Sequence, residues 1–541
     1  MTEDAFPIIW KDPADALDEW ERDDMHMPFA LTPLAADFVR ICIAGGFTPH
    51  YEAFGGRQTL VAEVWHGWAY FAYRSNVPEA EQKAADERWL VTLRSRIPVT
   101  HAYWHDDALP ELRRIFDGIA GIAVDDLGTQ DLAMAWLGAW TDTTRSWVLH
   151  FISIMGPYQV LEDLSDQYAA AMGPNRDAEA LALIAGGHHV LEDVEAGIEA
   201  LAELAAGSEL RAAIEAAASG DVAARIDLGR LRAVDGGAAF VDAAETFLVE
   251  HGHLGQNHDD LILASWAETP RALLGRIATR LRNPAKPSAE REAELRARAH
   301  HLEAAVRAKL AERPDDLATF ETTLHLAREI GWLTEGHNYW IDRLSQARLR
   351  ALSLRVGRRL VHDGQLDRAD DVFFLTRDEV AEAIRDRLPR QTQVAERRAE
   401  HAVNERRAPP YHVGRIPAEP SAGSRFDGPR IASTQADMLN GKGASAGVVS
   451  GPARITLSQD DFGRIQPGDI IVCPSSNPSW VPVFTIAGGL VTNTGGVLSH
   501  AAVVAREFGL PAVVGTGDAT TKIADGRLVE IDGTAGTVRL L

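Results

Sequence analysis

Apolar residues recur at every third or fourth position through Ala178–Ala218 and again through Ala289–Leu310, the period of a helix with one buried face. The same Ala-, Leu-, Arg- and Glu-rich texture runs from about residue 110 to 408 and predicts an all-helical region, with breaks near Arg282-Asn-Pro-Ala-Lys-Pro287 and Asp363-Gly-Gln. Before residue 105 the pattern differs: tryptophan, proline and glycine mix with short apolar runs. There, Glu63-Val-Trp-His-Gly-Trp-Ala-Tyr-Phe-Ala-Tyr73 is dense in β-favouring aromatics and predicts a hairpin. From Ala408 the periodicity disappears and Pro, Gly and Ser accumulate, as in a linker. After Gly441 come short Val/Ile runs divided by glycine turns: Gly447-Val-Val-Ser, Asp469-Ile-Ile-Val-Cys, Gly489-Leu-Val-Thr, Ala512-Val-Val, Arg527–Asp532 and Thr537–Leu541. They predict a compact α/β domain.

The expected fold class is therefore multidomain α plus α/β. A mainly helical domain spans 1–407, with its aromatic-rich mixed part at 1–105. A linker follows at 408–440, and a small β/α domain at 441–541. A chain of 541 residues has material for two to four such domains.

Charge and cysteines narrow the function. A formal net charge of −24 argues against nucleic-acid or anionic-membrane partners, and any phosphate site must be locally basic. Cys42 and Cys473 are too few for a disulfide framework, as in a reducing cytoplasm. Cys473 ends an apolar run and reads as a buried strand thiol. The start, Met-Thr-Glu-Asp-Ala, lacks the basic and apolar regions of a signal peptide. No apolar run is long enough to span a bilayer; Trp147–Leu161, broken by Gly156-Pro157, predicts a buried helix. A soluble cytoplasmic protein is expected.

The strongest chemical signal is Thr492-Asn-Thr-Gly-Gly-Val-Leu-Ser-His500, followed by Ala-Ala-Val-Val-Ala-Arg-Glu-Phe-Gly-Leu-Pro511. Ser499 suits a helix N-cap; Ala501, Val504, Ala505 and Phe508 form one apolar stripe; Gly509 and Pro511 end the helix. A helix start offers unpaired N–H groups and a partial positive charge to a phosphate. Gly495 and Gly496 allow close backbone approach to an anion. His500 on that platform is placed to carry a phosphoryl group as a covalent intermediate.

This run closely resembles the phosphohistidine signature T-x-x-G-G-x-x-S-H-A-A-x-x-A-R-E-x-x-x-P-A-x-x-G of the phosphoenolpyruvate-utilising enzymes. Gly441–Arg454 resembles the first strand-turn of their swivelling domain, and Asn477-Pro-Ser-Trp-Val-Pro-Val-Phe484 its P-x-W-x-P-x-F loop. Phe247–Gly255, Ser265–Pro270, Asp370–Glu379 and the Trp20–Leu34 stretch are similar to segments of the rifampicin phosphotransferase branch, in the same order. No ATP-grasp domain or phosphoenolpyruvate barrel is recognised. The resemblance thus implies a split enzyme of the phenylphosphate-synthase type, whose separate ATP-grasp subunit binds ATP and Mg²⁺. Leu498 stands where dikinases often carry a threonine, so regulation by phosphorylation there is not expected.

By that resemblance, His500 would take a phosphoryl group from ATP and pass it to the hydroxyl of a small phenolic compound. Thr494, Gly495, Gly496 and Ser499 would bind the phosphate. Arg506 either joins them by turning back along the helix or forms a salt bridge with Glu507 or the partner. A phenol with a pKa of about 10 needs a base, or a cation that stabilises phenolate. His337 leads the acceptor-side residues, with Glu335 and Arg343 nearby in sequence; a hydrogen-bonded core histidine is its other reading. Trp65 and Trp68 would line an aryl pocket or simply fill core. His253 forms a second acceptor-side candidate pair with His251; with Gly252 between them they would hold a metal or, more simply, form a turn beside a packed helix. The carboxylates form no metal motif. Two other functions remain open: a rifamycin-type antibiotic phosphotransferase, and a regulatory phosphocarrier without a small-molecule acceptor, against which the large region before the linker argues.

Overall fold

The computed structural model describes residues 6–23, 26–174, 176–185, 190–219, 228–255, 260–282, 288–416, 437–457, 459–476, 480–484, 486–497 and 499–541. Most of the expected break at 282–287, the middle of the expected linker (417–436), the start of the Asn477 loop and Leu498 lie outside the described residues. The chain divides into two compact units. Unit 1 comprises Met1–Gly156, Gln256–Ala264 and His337–Ala418; unit 2 comprises Pro157–Gly255, Ser265–Gly336 and Glu419–Leu541. These units cut across the sequence boundaries at 407 and 441, because helices of 157–336 group with the C-terminal sheet.

Unit 1 contains an antiparallel sheet of β1 (Glu19–Arg22), β2 (Gln58–Trp65), β3 (Trp68–Ser75) and β4 (His412–Gly414), in the order β2-β3-β1-β4. The expected hairpin is β2–β3. Its turn residues, His66 (φ 51°) and Gly67 (φ 80°), are both left-handed, the turn geometry that matches strand twist. β4 lies within the stretch read as linker, so that part of it is strand. Helices Glu79–Arg96, Leu109–Ala120, Leu344–His362, Arg377–Asp386 and Gln391–Asn404 complete the unit. The break at Asp363 is present, with Gly364 at φ 76° after the helix end. Trp147–Leu161 is a buried helix, as expected, but Gly156-Pro157 does not interrupt it: one helix, Thr129–Met172, runs through Pro157. Buried residues along it, including Trp147, Leu149, Ile154, Val160 and Leu164, explain why packing overrides the missing proline N–H.

Unit 2 pairs helices Asp177–Ala182, Val190–Leu204, Ser208–Ser219, Gly237–His251, Arg271–Arg282, Ser288–Leu310 and Pro314–Ile330 with an eight-stranded sheet. Its strands are β5 (Met438–Asn440), β6 (Lys442–Ser445), β7 (Val448–Ile455), β8 (Ile470–Cys473), β9 (Gly489–Thr492), β10 (Ala512–Val514), β11 (Leu528–Asp532) and β12 (Thr537–Leu540). The order is β5-β12-β11-β7-β8-β9-β10-β6, with β7 to β10 parallel and the remaining pairs antiparallel. Ile471, Cys473 and Leu490 join one core cluster; Ile470, Val472 and Val491 join the other. This alternation buries β8 and β9 on both faces, as central parallel strands require. Among the described residues, no helix is long and apolar enough to cross a membrane.

Candidate functional site

β8 and β9 are adjacent and parallel, so the loops that follow them leave the sheet at one edge, where α/β sheets bind ligands. The β9 loop is held by many bonds. The Asn493 and Thr494 amides each donate over 3.0 Å, to the carbonyls of Cys473 and Pro474. Asn493 Oδ1 accepts from the Thr520 amide at 3.0 Å, and Thr494 Oγ1 donates to the Pro474 carbonyl at 3.1 Å. That hydroxyl therefore has a backbone partner on the β8 loop. Gly495 has φ 106°, and a Cβ there would come within 2.8 Å of Ser499 Oγ. Glycine is required on both counts.

His500 is the first residue of helix His500–Glu507, and Ser499 is its N-cap by backbone, with ψ 156° and its carbonyl accepting from Val503 at 2.9 Å. The Ser499 side chain, however, makes no capping bond. Its Oγ is buried without a hydrogen-bond partner, as is Ser476 Oγ on the β8 loop. Ala501, Val504 and Ala505 bury the expected stripe. The helix ends as expected at Gly509 (φ 62°): the Gly509 and Leu510 amides bond back to Arg506 and Ala505, the two bonds of a Schellman motif.

Arg506 does turn back along the helix, but toward backbone. Its Nη1 donates to the carbonyls of Val497 at 2.6 Å and Ala444 at 3.0 Å. Burial pulls the guanidinium down to about 10, while Glu507, Glu335 and Asp177 oppose the shift. Glu335, buried at 3% exposure, thus belongs to the electrostatic surroundings of Arg506 within unit 2.

Glu335 and His337 share the short helix Leu333–His337, and Arg343 ends the π-helical segment Asn338–Arg343 that follows it. Trp65 and Trp68 pack in a core with Phe6, Trp20, Tyr70 and Val413, and Trp65 meets Trp10 and Trp20 edge-on at 5.1 Å. They fill core instead of lining an apolar pocket. The cavity beside that sheet, about 350 Å³, is lined by Arg40, Glu63, Arg74 and Asp15, which pair with one another. His251 ends its helix, buried against Phe247, and His253 lies in the following turn in unit 2. Cys473 is a buried free thiol pushed upward by burial, as expected of a strand residue.

Sequence reading missed the partners of His337. His150 Nδ1 lies 2.7 Å from Asp342 Oδ1, and His337 Nε2 lies 3.9 Å from Asp342 Oδ2. Burial would raise the Asp342 carboxyl, but His150, His337 and Arg343 hold it down at about 2. The expectation of no metal motif rested on spacing, and His150 and Asp342 are 192 residues apart. The residual signal was local: an aspartate five residues after His337. His50 was missed as well; it is fully buried beside Phe151, with Nε2 unpartnered.

Comparisons with known proteins agree with the loop geometry. Residues 465–536 match the PEP-utilising enzyme mobile domain, and residues 150–335 match the rifampicin phosphotransferase fourth domain. The chain therefore carries the mobile domain of the superfamily that its His500 segment resembles. It is 28% identical to chondramide synthase cmdD of Chondromyces crocatus, over 99% of this chain and 14% of that protein. It is 30% identical to the uncharacterized phosphotransferase YvkC of Bacillus subtilis strain 168, over 58% of this chain and 38% of YvkC. The rifampicin phosphotransferase of the same strain is 29% identical, over 58% of this chain and 36% of its own length. The chain thus spans well under half the length of each.

Proposed function

We propose that this chain is the acceptor-binding, phosphohistidine-bearing part of an ATP-dependent phosphotransferase, with His500 as the carrier. The observation that carries this reading is the built loop of residues 493–497 and 499. It combines a required glycine, an anchored backbone and a buried, unpartnered Ser499 hydroxyl at a helix start, immediately before His500, inside the mobile-domain match. A hydroxyl left without a partner in the protein is available to a phosphoryl oxygen.

In the cycle, a neutral imidazole nitrogen of His500 attacks phosphorus. The N–P bond forms as the P–O bond to the donor breaks. The acceptor oxygen then attacks, O–P forming as N–P breaks, and the acceptor proton leaves to a base or is released as a cation stabilises the oxygen. ATP and Mg²⁺ are assigned to a separate ATP-grasp subunit. Among the described residues, the ligand cluster close enough for a metal offers two imidazoles, donors unlike those that hold Mg²⁺. Shuttling between that subunit and the acceptor requires 441–541 to swivel on the 408–440 segment. The buried free thiols of Cys42 and Cys473 support a reducing, cytoplasmic setting.

The acceptor in this reading is a small phenolic compound such as a hydroxyphenyl ketone. A second reading, favoured by the match of residues 150–335 and by the relatives named rifampicin phosphotransferase, is a rifamycin-type acceptor. Loading the chain with phosphate and then adding simple phenols or a rifamycin separates them. Discharge by phenols alone supports the first, and discharge by the rifamycin alone the second. Discharge by neither, but by a protein, would favour the phosphocarrier.

A further inference from the structure

The geometry points to a metal site: we propose that His150, His337 and Asp342 bind one divalent first-row transition-metal ion, such as Zn²⁺ or Co²⁺, inside unit 1. The cluster does not depend on His500 and belongs to a different compact unit.

Local structure brings two of the ligands together. In an α-helix, residues five apart are separated by about 1.4 turns and face different ways. Here residues Asn338–Arg343 form a π-helical segment, whose wider turn bonds residue i to i+5. His337 and Asp342 flank and enter that segment, so both side chains come to one face. The third ligand, His150, comes from helix Thr129–Met172.

The donor atoms of the three residues all lie within 4.8 Å of one another. Metal–nitrogen and metal–oxygen bonds of about 2.0–2.2 Å set neighbouring donors about 3–3.5 Å apart. The observed contacts of 2.7 and 3.9 Å bracket that range, so small side-chain adjustments would complete the site. The two imidazoles meet edge to face, with centroids 4.6 Å apart at 89°, which leaves both rings directed at one carboxylate. All three residues are at most 6% exposed. Trp147 stacks on His150 at 4.7 Å and Phe151 packs against its edge at 4.6 Å, shielding the cluster. Two imidazoles and one carboxylate favour a transition metal over Mg²⁺ or Ca²⁺.

Held by this cluster, a cation would make His337 a ligand and not a base for the proposed reaction. The binding itself is tested without that reaction. Full-length protein is stripped with chelator and titrated with Co²⁺, following its visible absorption, and metal content is measured after Zn²⁺ loading. The exposed pair His101 and His105, with rings 4.6 Å apart, is a rival surface site, so every protein also carries His101→Ala and His105→Ala. The expected result is one equivalent bound, with affinity lowered at least ~100-fold by Asp342→Asn and by His337→Gln. His337→Gln preserves bulk and hydrogen bonding, and near-UV circular dichroism checks folding of both. Absence of stoichiometric binding in the folded parent protein would overturn the site, as would binding unchanged in both folded variants; the cluster would then be a hydrogen-bonded His–Asp–His group. Repeating the titration in His500→Ala keeps the two proposals apart, because loss of phosphorylation should leave Co²⁺ binding intact.

Discussion

Arg506 Nη1 donates to the carbonyl of Val497, nine residues earlier, at 2.6 Å. One buried cation thus ties the helix that begins at His500 to the loop that leads into it, and through Ala444 to β6. The guanidinium sets the loop's shape through backbone. Arg506→Met should leave one buried and one partly buried carbonyl without this donor, at a cost of about 1–3 kcal/mol. Hydrogen–deuterium exchange across 493–506 should speed up, and His500 phosphorylation should slow. Unchanged exchange would refute the role given to Arg506.

Ser499→Ala distinguishes a cap from a phosphate ligand. A capping serine replaced by alanine typically costs about 1 kcal/mol. Ser499 Oγ makes no such bond, so the variant should be nearly as stable as the parent in thermal unfolding. Its phosphohistidine should instead form or discharge about tenfold differently, a change of roughly 1.4 kcal/mol in the barrier. A stability loss of capping size with unchanged phosphorylation would reverse the assignment.

Gly495→Ala should be far more damaging to phosphorylation than its size suggests. The added Cβ meets Ser499 Oγ at 2.8 Å on a backbone at φ 106°. The strain is on the order of 1–3 kcal/mol and falls on the loop before His500. Intact-mass measurement of the adduct should show at least ~10-fold slower loading, with little change in the melting of unit 1.

The loop and helix around His500 were legible as structure because their signals are local. A glycine pair, an N-cap position and an apolar stripe occupy a few consecutive residues, and the strands around them alternate with glycine turns. The β2–β3 hairpin was legible for the same reason. What escaped depended on tertiary packing. Pro157 looked like a break, but buried side chains on both sides keep its helix continuous. For Trp65 and Trp68 the sequence left an aryl pocket and plain core both open, and packing with Phe6, Trp20 and Tyr70 decides for core. His150 and Asp342 had no visible connection in sequence, and a π-helical turn with a crossing helix joins them.

His50 gives the fold an acid-sensitive position. Burial lowers its pKa to about 3, despite a bond to the Phe47 carbonyl that opposes the shift, and nearby His150 adds to the lowering. An unfolded histidine titrates near 6.5. Between those values the unfolded chain holds more protons, so stability falls as pH is lowered through that window. The slope from this one group reaches about 1.4 kcal/mol per pH unit. Melting temperatures from pH 7 to 5 should fall less steeply for His50→Phe than for the parent. Parallel profiles would contradict a buried neutral His50.

The central claim is that His500 carries the phosphoryl group. The full chain, an ATP-grasp partner, ATP and Mg²⁺ are mixed and the intact mass of this chain is measured. One acid-labile phosphate adduct is predicted on the parent and none on His500→Ala. An adduct of equal yield on His500→Ala would contradict the account.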